Sequence, residues 1–312
     1  MQKRGLTARG TQRWYCPSCR VSATRKRPDK ILAGHTYWFH LWLTGTKSLR
    51  EIAVEARVSA RTLERWFEPL WELPNQVRPE QDTVLILDAT SLESRCRVIL
   101  IARNLTEVRY WHIADRENSM SWNTLCSALP APSTVVCDAQ KGLLTAIHTL
   151  WPETYIQRCV IHVHRQAFTW LTKHPKTEAG RELRDIVHAL LSVQTRRQKR
   201  RWIRMFHKWE HRHGPFLSER TKAEPGSARK WWYTHRILRG TRSLIRNAIP
   251  DLFRYVAHPK IPRTSNLLEG GINAPLQERR FRHRGMQISH KEVLAAHYLQ
   301  SRSEQKPPRN VY

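Results

Sequence analysis

The chain is short of acid. Only 26 of its 312 residues are Asp or Glu, against 54 Lys or Arg, which leaves +28 at pH 7 and an isoelectric point near 10.8. So large an imbalance excludes an acidic or neutral solvating protein and predicts a polyanionic partner, because each phosphate contact releases condensed counterions. Long apolar runs are missing as well: no stretch approaches the roughly 20 residues needed to span a bilayer, and the basic first ten residues have no apolar segment behind them. Six cysteines spread over the chain do not form the pattern of a disulfide framework. No internal repeat is evident. The expected setting is cytoplasmic, with no membrane partner.

Basic charge is abundant and clustered. Residues 1–30 hold nine Lys or Arg against one acid, and eight more lie between Arg196 and Arg212, opposed by Glu210 alone. Nucleic acid is the favoured partner, with an anionic membrane as the weak alternative. Apolar residues make up 40% of the chain, enough to bury a core.

Six segments are expected. Residues 1–30 form a basic arm containing Cys16-Pro17-Ser18-Cys19, with Gly10–Trp14 as a strand before it. The pair looks like half of a zinc ribbon, but no Cys or His precedes Cys16 and a ribbon needs four ligands, so bound zinc is not expected. Residues 31–78 have helical periodicity, with Trp38, Leu41 and Trp42 sharing a face and Ser48–Glu51 forming a capping box. Leu49, Ile52, Ala53, Val58, Leu63 and Trp66 have the spacing of a helix-turn-helix core. Ser59 starts its second helix, which would turn Arg61, Thr62 and Arg65 towards a major groove. Arg57 stands at the turn position where glycine is usual, so a plain helical hairpin is the competing reading.

From 79 to 164 the order is strand, strand, strand, helix, strand, helix, strand, an α/β pattern with a mixed sheet. Residues 165–259 read as helical throughout, with no strand. Residues 260–300 return to helix, and 301–312 form a polar tail.

Asp88 ends the apolar run Val84–Leu87, and Asp138 ends Val135–Cys137. Either aspartate alone is best read as an ordinary turn or capping residue. Two of them, ending strands that are plausible neighbours in one sheet, shift the balance towards a metal site. Glu269, in Thr264-Ser265-Asn266-Leu267-Leu268-Glu269-Gly270-Gly271, is the candidate third acid; by itself it would pass as a first-turn glutamate behind a Ser265 or Asn266 cap. Cys159 and His162 have the spacing of a zinc pair. Arg279, Arg280, Arg282 and Arg284 are candidate phosphate contacts, with a solvated basic helix face as the alternative.

Several motifs, in order, resemble the bacterial Mutator-like DDE transposases of insertion sequences, in their variant with a zinc-binding N-terminus. They are Leu87–Thr90, Cys137–Ala139, Gln157–His162, Tyr233–Arg239, Thr264–Ala274 and His283–Met286. The resemblance implies an RNase H-like (retroviral integrase-like) catalytic core interrupted by an all-α insertion and preceded by a DNA-binding helix-turn-helix. It makes Asp88, Asp138 and Glu269 the catalytic triad and the ligands of Mg²⁺, with Mn²⁺ able to substitute. It assigns Cys159 and His162 to structural support beside the site. It also narrows the partner to double-stranded DNA: the implied activity is binding of terminal inverted repeats, followed by strand cleavage and transfer to target DNA, by a homodimer or larger assembly at the bacterial nucleoid. Competing readings are a catalytically inactive, domesticated DNA-binding regulator and a structure-selective nuclease.

Overall fold

The structure, a computed structural model, describes residues 1–8, 10–24, 28–76, 79–93, 96–224 and 230–303. It divides into two compact units, one built from Met1–Asn75 with Ser289–Ser301, the other from Gln76–Ile288.

The first unit opens with a three-stranded antiparallel sheet of β1 (Gln2–Leu6), β2 (Gln12–Tyr15) and β3 (Ser22–Thr24). The single strand expected over Gly10–Trp14 is thus the middle of three. Helices α1 (Pro28–Thr44), α2 (Leu49–Glu55) and α3 (Ala60–Phe67) follow. Ser48 and Glu51 form the expected capping box, and Ser59 caps α3. Ile52, Ala53 and Leu63 are buried, and Phe39, Trp42, Leu43 and Phe67 complete the core. The face α1 turns inward therefore centres on Phe39 and Leu43 rather than on Trp38, which is half-buried.

Arg57 lies in the left-handed region, with φ 55°. The α2–α3 turn thus has the backbone that glycine usually supplies, built on a residue that strains to adopt it. Arg57→Gly should stabilise this unit by about 0.5–1 kcal/mol once the extra freedom of the unfolded glycine is subtracted, and so raise its unfolding midpoint in urea. An unchanged or lower midpoint in urea would mean that the arginine side chain contributes more than its backbone costs.

The second unit is a mixed α/β fold around a five-stranded sheet. β4 (Val84–Glu93), β5 (Arg97–Arg103) and β6 (Val108–Ala114) run antiparallel as a meander, and β7 (Thr134–Cys137) and β8 (Tyr155–Arg158) extend it parallel to β4 in the order β6-β5-β4-β7-β8. The apolar runs in β4 and β7 suit a sheet covered on both faces. On one face α4 (Ser119–Ser127) and α5 (Lys141–Leu150) bury Trp122, Leu125, Leu143 and Ile147 against Leu85, Leu87, Val135 and Cys137. Gly142 permits this approach: a Cβ there would sit 2.9 Å from the backbone of Asn118 and Ser119.

Beyond β8 come α6 (Val160–Leu171), α7 (Glu178–Ala189), α8 (Arg196–Leu217), a hairpin of β9 (Arg220–Lys222) and β10 (Trp231–Tyr233), then α9 (Arg236–Ala248) and α10 (Arg254–Ala257). The hairpin corrects the expectation of a strand-free insertion. Its strands are three residues each, too short to leave an alternating pattern among charged neighbours. Trp202 and Trp209 are core residues whose indoles donate to the carbonyls of Ile186 and Ala179, while Trp170 and Trp231 stay exposed.

The chain returns through α11 (Asn266–Leu268), a π-helical turn (Glu269–Asn273) and α12 (Ala274–Arg282), and ends its described part on α13 (Ile288–Gln300). Nearly all of the expected tail, 301–312, lies outside the described residues. No described helix is long and apolar enough to cross a membrane.

Candidate active site

Asp88 is not the end of its strand. It is the fifth of ten residues in β4, paired with Ile101 of β5. What ends beside it is the parallel neighbour: Ile86 pairs with Val136, and β7 stops at Cys137. Continuing that register by two residues sets Asp138 opposite Asp88, so both carboxylates emerge where β7 leaves the sheet. Strand alternation sends Leu85 and Leu87 under α4 and α5, and sends Asp88 to the other face.

Each acid is fixed by local donors. Asp88 Oδ1 accepts from the Ala89 N–H at 3.0 Å, and its Oδ2 accepts from Asn273 Nδ2 at 2.8 Å. Asp138 Oδ1 accepts from the Gln140 N–H at 2.9 Å, across Ala139, whose φ of 63° is rare for a residue with a Cβ. Strain at this position is retained because the turn aims the carboxylate.

Glu269 comes from far along the chain. Cys159 N–H donates to the Cys137 carbonyl at 2.7 Å and Val160 N–H to that of Arg263 at 3.0 Å, which ties the returning segment to the sheet edge. Ser265 does not cap α11 with its side chain, as expected; its hydroxyl donates to Glu269 Oε1 at 2.8 Å. Arg165 Nη1 donates to Glu269 Oε2 at 2.7 Å, and His162, one turn earlier on α6, places Nδ1 3.7 Å from Oε1. The imidazole lies against the Cys159 sulfur, and the Ser265 N–H points at that sulfur from 3.4 Å.

The electrostatics follow from this crowding. Burial, then the charge of Asp138, push the Asp88 carboxyl up to about 7, with Glu269 adding and His162 opposing. Burial also raises Glu117, an acid with no sequence signal, whose Oε1 accepts from the Trp122 indole and which feels Asp138. Burial pushes Glu269 up too, but the Ser265 hydroxyl and the Arg165 guanidinium outweigh it and hold the group below its ordinary value. His162 is raised to about 9, chiefly by the Cys159 thiol beside it.

Asp88 makes stability pH-dependent. The folded carboxyl keeps its proton up to about pH 7, whereas the unfolded chain releases it near 4, so its favourable contribution is present below pH 4 and is lost as the pH climbs through 7. Asp88→Asn should therefore stabilise the metal-free protein at pH 8, by about 2–4 kcal/mol, and barely at pH 4. Asn273 can accommodate the change, because its Oδ1 is buried without a partner and an amide flip would turn it to the new donor. Equal effects at the two pH values in chemical denaturation would contradict the burial account.

The other expected residues have the following settings. Arg61 and Arg65 are exposed on α3 in the first unit, and Thr62 is half-buried with Oγ1 2.9 Å from Ser59 Oγ. On α12, Arg279 and Arg280 donate to the carbonyls of Pro275 and Ser91, Arg282 pairs with Glu278, and Arg284 lies over the Phe281 ring. Cys16 and Cys19 are free; hydrogen bonds from the Cys19 and Ser18 backbone and the Cys19 side chain lower the Cys16 thiol to about 7.

Asp88 in mid-β4, Asp138 just past the end of β7 and Glu269 on the returning segment are thus each held by local donors, and the charges of Asp138 and Glu269 both act on Asp88. Residues 83–221 match the family model described as "Transposase, Mutator family". The chain is also 30% identical over 82 residues to a probable transposase for an insertion sequence element from Corynebacterium diphtheriae, an alignment covering 25% of this chain and 24% of that relative. The chain thus aligns with about a quarter of that relative's length. Within residues 83–221 the chain is similar to the Mutator-family transposases. The family match takes in Asp88, Asp138, Cys159 and His162 and stops before Glu269.

Proposed function

We propose that this protein is a DDE transposase that binds the terminal inverted repeats of its own element and catalyses metal-dependent cleavage and strand transfer. The observation that carries the reading is the placement of Asp88, which the β4–β7 register sets opposite Asp138 and whose carboxyl is pushed up by burial first and then by Asp138, with Glu269 adding. A buried carboxyl that also feels two neighbouring acids suits a hard divalent cation, which would relieve the charge at Asp88. Asp88, Asp138 and Glu269 would hold Mg²⁺ or Mn²⁺; when bound, the ions supply an activated water or 3′-hydroxyl and stabilise the departing oxygen. The chain's own contribution is orientation: the Ala89 N–H and Asn273 aim Asp88, the Gln140 N–H aims Asp138, and Ser265 and Arg165 aim Glu269.

In this reading the mixed sheet is an RNase H-like core in two parts, 79–164 and 260–300, around the insertion at 165–259. Residues 31–78 read DNA through Arg61, Thr62 and Arg65, the α12 arginines and Arg284 contact phosphates, and a dimer or larger assembly holds two ends together at the nucleoid. The test is cleavage and joining by purified protein on DNA carrying the element's ends, with Mg²⁺, with Mn²⁺ and with EDTA. Nicking and end joining that need the metal are expected. Salt-sensitive, sequence-specific binding with no metal-dependent cleavage would instead identify an inactive, domesticated regulator.

A further inference from the structure

The Cys159 sulfur, a His162 ring nitrogen and a Glu269 carboxylate oxygen lie within 4.8 Å of one another, the one such three-residue group of His, Cys, Asp or Glu among the described residues. We propose that they form a second metal site, for a soft divalent ion such as Zn²⁺, which shares Glu269 with the catalytic acids and so switches the enzyme off. The sharing rests on the reading of Glu269 as a catalytic ligand; the site itself does not.

The donor set is what zinc takes and magnesium does not: thiolate, imidazole and one carboxylate. With metal–ligand bonds of about 2.0–2.3 Å, neighbouring donors on a tetrahedron stand roughly 3.3–3.6 Å apart. His162 Nδ1 and Glu269 Oε1, at 3.7 Å, are within a few tenths of an ångström of that edge. Nδ1 is buried, and the imidazole already interacts with the other two donors, Cys159 and Glu269, whose mutual contacts a bound ion would take over. Cys159 sits fully buried at the floor, where the Ser265 N–H can steady a metal-bound sulfur, and His162 and Glu269, partly exposed, form the entrance. Three protein donors leave one position for water.

Glu269 joins the two sites. Its Oε1 faces His162 and Ser265 and its Oε2 faces Arg165, so an ion held by Cys159 and His162 claims the carboxylate that the catalytic ions need. Occupation by a soft ion and cleavage with a hard one exclude each other.

The experiment uses the full chain, metal-free, with Cys16→Ser and Cys19→Ser so that the N-terminal thiols cannot contribute. Titration with Co²⁺ should give one equivalent of sulfur-to-cobalt charge-transfer absorption with visible bands of tetrahedral intensity, both displaced by Zn²⁺. The absorption should vanish in Cys159→Ser, weaken at least about tenfold in apparent affinity in His162→Ala and Glu269→Gln, and persist in Asp88→Asn. Residual cleavage by Cys159→Ser, whatever its level, should no longer fall on adding Zn²⁺. Charge-transfer bands that persist in Cys159→Ser, or that never form in a chain whose circular dichroism is folded, overturn the proposal while leaving the magnesium reading intact. Cobalt bound as described, with cleavage insensitive both to Zn²⁺ and to Glu269→Gln, keeps the site and removes Glu269 from catalysis.

Discussion

Asp88→Ala, Asp138→Ala and Glu269→Ala should each lower metal-dependent cleavage by about 10³-fold or more, with DNA binding at fixed salt unchanged. The size follows from what each carboxylate does. A site of hard oxygen donors that loses one of three loses charge and geometry together, and the buried environment that destabilises Asp88 alone makes a bound cation worth more there than in water. Groups that act as a unit are also non-additive, so the double variants should be little worse than the singles. Asp88→Asn is the useful companion because it should stabilise the fold at pH 8 while abolishing cleavage, which separates lost chemistry from lost structure. Cleavage within about tenfold of the unaltered protein in any of the three would show that the wrong acid had been chosen.

Arg103→Ala should be the most damaging change remote from the acids, costing about 3 kcal/mol or more. The residue is 7% exposed and pairs with no carboxylate among the described residues; Nε donates to the Asn104 carbonyl, Nη1 to that of Leu267 at 2.6 Å and Nη2 to that of Leu105. Alanine would strip three carbonyls of a charged donor at once. Leu267 lies two residues before Glu269, so the same change loosens the third acid. Lysine should rescue little, since one ammonium cannot reproduce the planar fork. Urea unfolding of both variants measures this; a loss below about 1 kcal/mol in Arg103→Ala would mean that water replaces the guanidinium at no cost.

How much of this was legible in the sequence depended on the range of the interaction. The β4 to β8 order, the capping box at Ser48 and the start of α3 at Ser59 are written in apolar runs and local hydrogen-bonding residues, and all appear where the pattern places them. The apolar run that draws attention to Asp88 ends there, yet the strand continues through Thr90 and Ser91 because β5 pairs with it to Glu93. Ser265 reads as a cap and serves Glu269 instead: the two are one helical turn apart, the Glu269 N–H donating to the Ser265 carbonyl while the Ser265 hydroxyl donates to the Glu269 carboxylate. Arg103, Glu117, Arg165 and Asn273 carried no signal, because their partners lie elsewhere in the chain or among backbone carbonyls that no motif records.

Gln157 shows what such distances entail. Fully buried, its amide donates to the Leu252 carbonyl while its Oε1 accepts from the Tyr255 N–H, and Arg254 donates to the Ile156 carbonyl, so the far end of the insertion is latched to edge strand β8. Only past that latch does the chain deliver Asn273 to Asp88, a contact spanning 185 residues. Closing so long a loop is an entropic debt settled late, after both aspartates are already in the sheet. A nascent chain still on the ribosome, or a fragment cut anywhere in the insertion, would carry two acids and no third. If the three acids act together as proposed, such a chain could gather DNA through its basic charge while still lacking the carboxylate that completes the site.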